Sequence, residues 1–242
     1  MARPLARARS PSRTRLLAAA TEEFAAHGLA GGSVDRIARK ARLNKAMIYY
    51  HFASKDALYR EILRSTFEAV RAGVDATQTA TAPPAERLGA FVDAFLAAAL
   101  TRPHFPRMMM RELSESGRHL DRRTAEAWIA VPEVFFAILA DGIGQGVFRP
   151  VHPLLGFLST VGPAVLLLAS RPARGRVARL LGRAFPDVAP ADLSAQARAA
   201  ALAALSVAPS SPPHIEGVAH DLPRSRSPVG DGPRADRHRP RV

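Results

Sequence analysis

Apolar residues recur along this chain at helical spacing, with capping residues between them. Val34, Ile37, Ala38 and Ala41 fall at i, i+3, i+4 and i+7, which predicts a helix over 34–41. Ser33 stands at its N-cap, and Asp35 in its first turn suits the helix dipole. Arg42-Leu43-Asn44 reads as a three-residue turn, with Asn44 as N-cap of a short helix over about 45–51. Ile48 and Phe52 share the inward face of that helix. Ser54 caps a further helix, reinforced by Asp56. Its apolar face runs through Ala57, Leu58, Ile62 and Leu63, and it extends into the 70s.

Gly73 and the Thr/Ala/Pro stretch 77–84 end that helix. Pro83-Pro84 precede another, carrying Leu88, Phe91, Val92, Phe95, Leu96 and Leu100. Pro103 opens a segment with Phe105, Met108, Met109 and Leu113, and Gly117 breaks it. A long helix over about 121–142 presents Trp128, Val131, Phe135, Ile138 and Leu139. Gly142, Gly144 and Gly146 read as a loop. An uncharged helix over 153–170 and an alanine-rich one over 190–206 complete the pattern. No stretch alternates strongly enough to suggest a sheet. The expected fold is all-α: an N-terminal three-helix helix-turn-helix domain and a larger C-terminal helical domain.

Two capped helices joined by a tight turn are the layout of a helix-turn-helix, whose second helix enters the DNA major groove. Since Ile48 and Phe52 point inward, Lys45, Tyr49, Tyr50 and His51 are left with polar tips for another surface. Phenols in a groove can meet phosphate oxygens or thymine methyls. Lys45, at the helix start, is placed for base edges or phosphates. His51 suits a phosphate better than a metal, because no second ligand lies at helical spacing. Lys55 opposes the dipole at the start of its helix, and a phosphate would account for it. Ser33 could offer a phosphate its hydroxyl or its backbone N–H.

The run Asn44-Lys-Ala-Met-Ile-Tyr-Tyr-His-Phe52, followed by Ser54-Lys55-Asp56-Ala57-Leu58, resembles the signature of the TetR family of bacterial repressors. Thr14-Arg-Leu-Leu-Ala-Ala-Ala-Thr-Glu-Glu-Phe-Ala-Ala-His-Gly28 resembles that family's first helix, which ends in a glycine. The likeness covers about residues 12–64. Arg42 stands where glycine is usual, and Asn44 where Ser or Thr is commoner. Ala46-Met47 replace a smaller pair. These departures bear on operator choice and turn strain, so Asn44, Ala46 and Met47 join the candidate DNA contacts. A weaker likeness to the family's ligand-binding part runs through Arg107–Leu113, Gly146–Pro153 and Val161-Gly-Pro163. The resemblance implies a homodimer on double-stranded DNA at a palindromic operator, released by a small apolar or amphipathic effector. It implies repression and leaves activation open.

Charge agrees with this reading. Of a net charge of +13, residues 1–60 carry +8, from twelve basic and four acidic side chains. That concentration is the footprint of a polyanion binder. The only lysines are Lys40, Lys45 and Lys55, all in this segment. The chain has no cysteine, which excludes disulfides, thiolate zinc sites and a cysteine nucleophile, and fits a cytoplasmic setting. His104, His119 and His152 are too scattered for a metal site. Gly142, Gly144 and Gly146 do not spell a nucleotide loop, so no cofactor is expected. No HExxH, GxSxG or P-loop supports an enzyme, though an all-α enzyme with an incidental basic end remains a rival, as does a nonspecific DNA-binding protein. The stretch 150–170, uncharged for 21 residues, mimics a membrane span. Its prolines and glycines favour a buried or dimer-interface helix, and no membrane association is expected.

The expected organisation is a flexible basic arm (1–11), the DNA-binding domain (12–58), the ligand-binding and dimerisation domain (59–206) and a disordered Pro/Ser/Arg-rich tail (207–242). Phe105, Met108, Met109, Trp128 and Phe135 are candidate pocket residues, with ordinary core as the alternative. Leu158, Val165 and Leu168, spaced seven and three apart, are candidate dimer contacts.

Overall fold

A computed structural model describes residues 10–186 and 188–207. Ser10 accepts the Arg13 N–H and so caps α1, Pro11–Gly31, whose path kinks at Gly28. The helix-turn-helix pair is α2, Val34–Ala41, and α3, Ala46–His51. The helix leaving it is α4, Lys55–Asp75. Beyond it lie α5 (Pro84–Thr101), α6 (Phe105–Ser114), α7 (Arg122–Gly144), α8 (Pro153–Ala169), α9 (Arg171–Leu181) and α10 (Pro190–Leu205). The extended backbone pairs in one isolated antiparallel bridge, Phe148 with Ser206, among the described residues. The basic arm up to residue 9 and the tail from residue 208 lie outside the described residues. Ser10 and Pro11, expected in the arm, instead begin α1. Val207, expected in the tail, donates its N–H to the Val147 carbonyl at 3.1 Å.

Local chemistry sets most helix starts. Ser33, Ser54 and Asp121 each accept the N–H three residues on, which satisfies a backbone donor the helix leaves open. Proline fills the first turn of α5, α6, α8, α9 and α10, where its missing N–H costs nothing.

Three expectations are corrected. Gly142 and Gly144 belong to α7, and of the three glycines Gly146 has a left-handed φ of 70°. Gly142 is needed for close approach: a Cβ there would lie 2.0 Å from the Phe148 ring. The arginine-rich α9 was not anticipated. Val165 and Leu168 are 6% and 8% exposed, packed inside the chain, whereas Leu158 is 48% exposed. The buried stripe of α8 advances in steps of four, through Gly156, Thr160, Ala164 and Leu168, and takes in Phe157, Val161 and Val165 beside it. A position seven residues on therefore crosses the stripe's edge.

The body's core is aromatic. Phe91 lies 5.6 Å from Phe135, which lies 5.7 Å from Phe157, while Phe67 meets both Phe105 and Trp128. Candidate pocket residues Phe105, Met108 and Phe135 are therefore core, with Met109 and Trp128 packed half-buried against it. By length and apolarity α7 could cross a membrane, as could α8 with α9 taken together, bent by 47°. In this fold α7 lays Val131, Phe135, Ile138 and Leu139 into the core against α4 and α5.

One buried polar knot joins the first helix to the body. Phe24 of α1 meets the Tyr59 ring of α4 edge-on at 5.2 Å. The Tyr59 hydroxyl donates to Glu112 of α6 at 2.5 Å, and the same Glu112 oxygen lies 3.0 Å from Nδ1 of His119. Burial, and then the Glu112 carboxylate, push the Tyr59 pKa far up, so it remains a donor. Glu112 is fully buried. Replacing Tyr59 by Phe removes its donor while leaving the carboxylate in place, at a cost of about 1–3 kcal/mol. Urea denaturation of Y59F should show that loss with little change in helix content.

Candidate nucleic-acid interface

Because α3 has only six residues, its setting has to come from its neighbours. Ile48 and Phe52 are buried and anchor one face. The Asn44 side chain accepts the Ala46 N–H at 2.9 Å and the Asn44 carbonyl accepts the Met47 N–H at 2.9 Å, which closes the first turn. Before it, Arg42 adopts φ 54°, ψ 48°, the left-handed turn conformation that glycine takes without penalty. The family departure noted at this position is thus a real local strain, tolerated by a long polar side chain that stays exposed.

The opposite face of α3 carries Tyr49 and Tyr50, which are 53% and 54% exposed. Lys45 lies at the same end of the helix, paired with Asp35 at 3.0 Å. That hydrogen bond, with the Asp35 charge behind it, raises the Lys45 pKa and keeps it cationic. Such an exposed pair is readily exchanged for a phosphate. Ala46 is exposed, and Met47 is half-buried against the core.

Three candidates are turned differently from expectation. The Ser33 backbone N–H is taken by Glu23 of α1 at 3.0 Å, and its hydroxyl accepts the Arg36 N–H. Nε2 of His51 lies 2.9 Å from the Ser12 hydroxyl, which ties α3 to the start of α1. Lys55 is half-buried and donates to the Gly32 carbonyl at 3.3 Å. Each is drawn into the packing between α1 and the helix-turn-helix, a tertiary effect that local spacing does not carry.

The structure also brings forward cations that motif reading passed over. Arg36 pairs with Glu23, Lys40 with Glu22 and Arg13 with Glu61. The Arg39 and Arg42 side chains have no such partner among the described residues, and both are exposed at the end of α2 and in the turn. Their signal in the sequence was their position, one turn ahead of the reading helix. No group of three His, Cys, Asp or Glu residues able to hold a metal occurs among the described residues.

A short helix with one face buried, its outer face exposed and basic, and a tight turn before it define a helix-turn-helix protein of the kind that docks on duplex DNA. Residues 16–62 match the description of the bacterial regulatory proteins of the tetR family. The chain is 47% identical over 58 residues to the HTH-type transcriptional repressor SCO4008 of Streptomyces coelicolor, spanning 23% of this chain and 30% of that relative's length. It is 29% identical over 148 residues to the HTH-type transcriptional repressor NicS of Pseudomonas putida, covering 59% and 69% of the two chains. Its fold matches the transcriptional regulator FadR of Bacillus subtilis, solved in complex with stearoyl-CoA. That match has a TM-score of 0.63 at 16% identity and covers 79% of this chain and 98% of that one. Residues 16–62 thus resemble the TetR family, and the likeness of the rest of the chain is one of fold.

Glu23 ties α1 to α2 by accepting both the Ser33 N–H and the Arg36 guanidinium. Burial alone would raise its pKa. The Arg36 and Ser33 hydrogen bonds, with the Arg36 and His27 charges, outweigh that and hold it below the ordinary 4.5. A depressed carboxyl contributes stability that is complete above its ordinary pKa and is lost as pH falls through its folded-state value. Thermal melts should therefore show stability falling below about pH 4.5, with a shallower acid limb for E23Q.

Proposed function

We propose that this protein is a sequence-specific, DNA-binding transcriptional regulator that acts as a homodimer. The α3 helix of each copy lies in the major groove of one half of a palindromic operator, and Lys45, Tyr49, Tyr50, Ala46 and Asn44 face the DNA. The observation that carries this reading is the pair of tyrosines left exposed on a helix anchored on its other side by buried Ile48 and Phe52. Exposed phenols beside a lysine suit groove edges and phosphates, which use both. Arg39 and Arg42 add phosphate contacts from the turn. Lys55, His51 and Ser33 hold the reading unit in shape, and Lys55 keeps donors to spare for a phosphate.

Dimerisation through α8 and α9 is supported by leucines exposed on both. Leu154, Leu155, Leu158 and Leu166 line the outer side of α8, and Leu180 and Leu181 stand out from α9. A second copy in two-fold symmetry would cover them. A repressor role follows the names of SCO4008 and NicS, and the stearoyl-CoA in the FadR structure favours an apolar or amphipathic effector. Effector binding would favour a head spacing that no longer fits two half-sites. The protein works in the cytoplasm, beside its DNA, without catalysing a reaction.

Selection of bound duplexes from a random pool tests the reading: a recovered palindrome supports it, and retention without sequence preference favours the nonspecific alternative. On the selected operator, K45A, Y49A and Y50A should each weaken binding without lowering the melting temperature, and K45A should reduce the salt slope by about 1. L155D should give monomers on sizing and collapse operator affinity, since it alters only an exposed interface position. V165D would instead place a charge in the chain's own core and unfold it.

A further inference from the structure

Arg107, Met110, Arg111 and Ser114 fall at i, i+3, i+4 and i+7 on α6, opposite the face that carries Phe105, Met108 and Glu112 into the core. With Ala25 of α1 and Ala169 at the end of α8, they line an open groove of about 360 Å3. That volume lies within the range of small-molecule sites. None of the residues expected to form a pocket reaches it.

The lining is charged on one side only. It carries two guanidinium groups and no carboxylate. The Arg107 side chain makes no hydrogen bond or ion pair among the described residues. The nearest acid to Arg111 is Glu115, at 4.0 Å. Gly28, at φ 70°, lets the Arg111 side chain lie against the first helix, because a Cβ there would sit 2.6 Å from Nη1. Arg111 is thereby held at the groove by backbone shape. Met110, the exposed member of the methionine triplet, adds an adaptable apolar wall beside Ala25 and Ala169.

We propose that this groove is a binding site for a small amphipath bearing an oxyanion, a carboxylate or a phosphate monoester, on a short apolar tail. The two arginines grip the anion by charge-assisted hydrogen bonds, and the tail lies along Met110 and the two alanines. Because α1 belongs to the DNA-reading head and α6 and α8 to the body, an occupant ties the two together. The site stands on its own lining, and only its effect on operator binding rests on the regulator reading. Occupancy and operator affinity must then change each other by the same factor.

Isothermal titration of the full chain without DNA tests the site. Hexyl phosphate, hexanoate and neutral hexan-1-ol are the probes. One equivalent of hexyl phosphate, hexanoate or both should bind per chain, which also tells phosphate from carboxylate preference, and hexan-1-ol should not. R107Q should weaken the anion at least about tenfold with an unchanged melting temperature. R107Q is the decisive variant, because Arg111 also packs on Gly28. K45A, on the DNA face, should bind the anion as the native chain does. The proposal is overturned if neither anion binds saturably below about 10 mM, if hexan-1-ol binds equally well, if R107Q keeps native affinity, or if K45A abolishes binding.

Discussion

A helix of six residues cannot hold itself together in water, and the proposed DNA-reading surface is built on one. Its position is imposed by two anchors, Ile48 and Phe52, and by the left-handed turn at Arg42. The side chains that remain outside are then fixed in direction. With Ile48 and Phe52 sunk in the core, Tyr49 and Tyr50 have nowhere to go but out. The exposure of these side chains is thus a consequence of packing, and the helices around α3 serve to keep that short segment rigid.

The same economy joins head and body. Tyr59 sits on the helix that leaves the helix-turn-helix, touches Phe24 behind it and donates to Glu112 ahead of it. A buried carboxylate is costly unless it is hydrogen-bonded, so this knot favours one relative placement of α1, α4 and α6. Helix α6 then has two faces with different duties. One is held by the knot and the aromatic core, and the other presents Arg107 and Arg111 beside α1. Helix α6 thus meets α1 from the body side.

The features that could be read from the sequence are those fixed within a turn or two of chain. Ser33, Asn44 and Ser54 cap where their spacing says they should, because a cap bonds two or three residues away. The inward Ile48 and Phe52 followed from helical period alone. The features that escaped depend on partners distant in sequence. His51 turns to Ser12, 39 residues away, and the Ser33 N–H goes to Glu23. Val165 and Leu168 are inside because the buried stripe of α8 drifts along the helix. The α9 helix escaped because its arginines and Gly175 mask an apolar rhythm with no buried residue behind it.

In the proposed reading, the outer face of α3 contacts base edges in the major groove. Methylation interference on a bound operator addresses it directly, since a methyl on guanine N7 projects into that groove. N7 methylation is expected to block binding at two symmetric clusters, one helical turn or a multiple of it apart. Interference confined to adenine N3 in the minor groove, or spread evenly without two-fold symmetry, would contradict it.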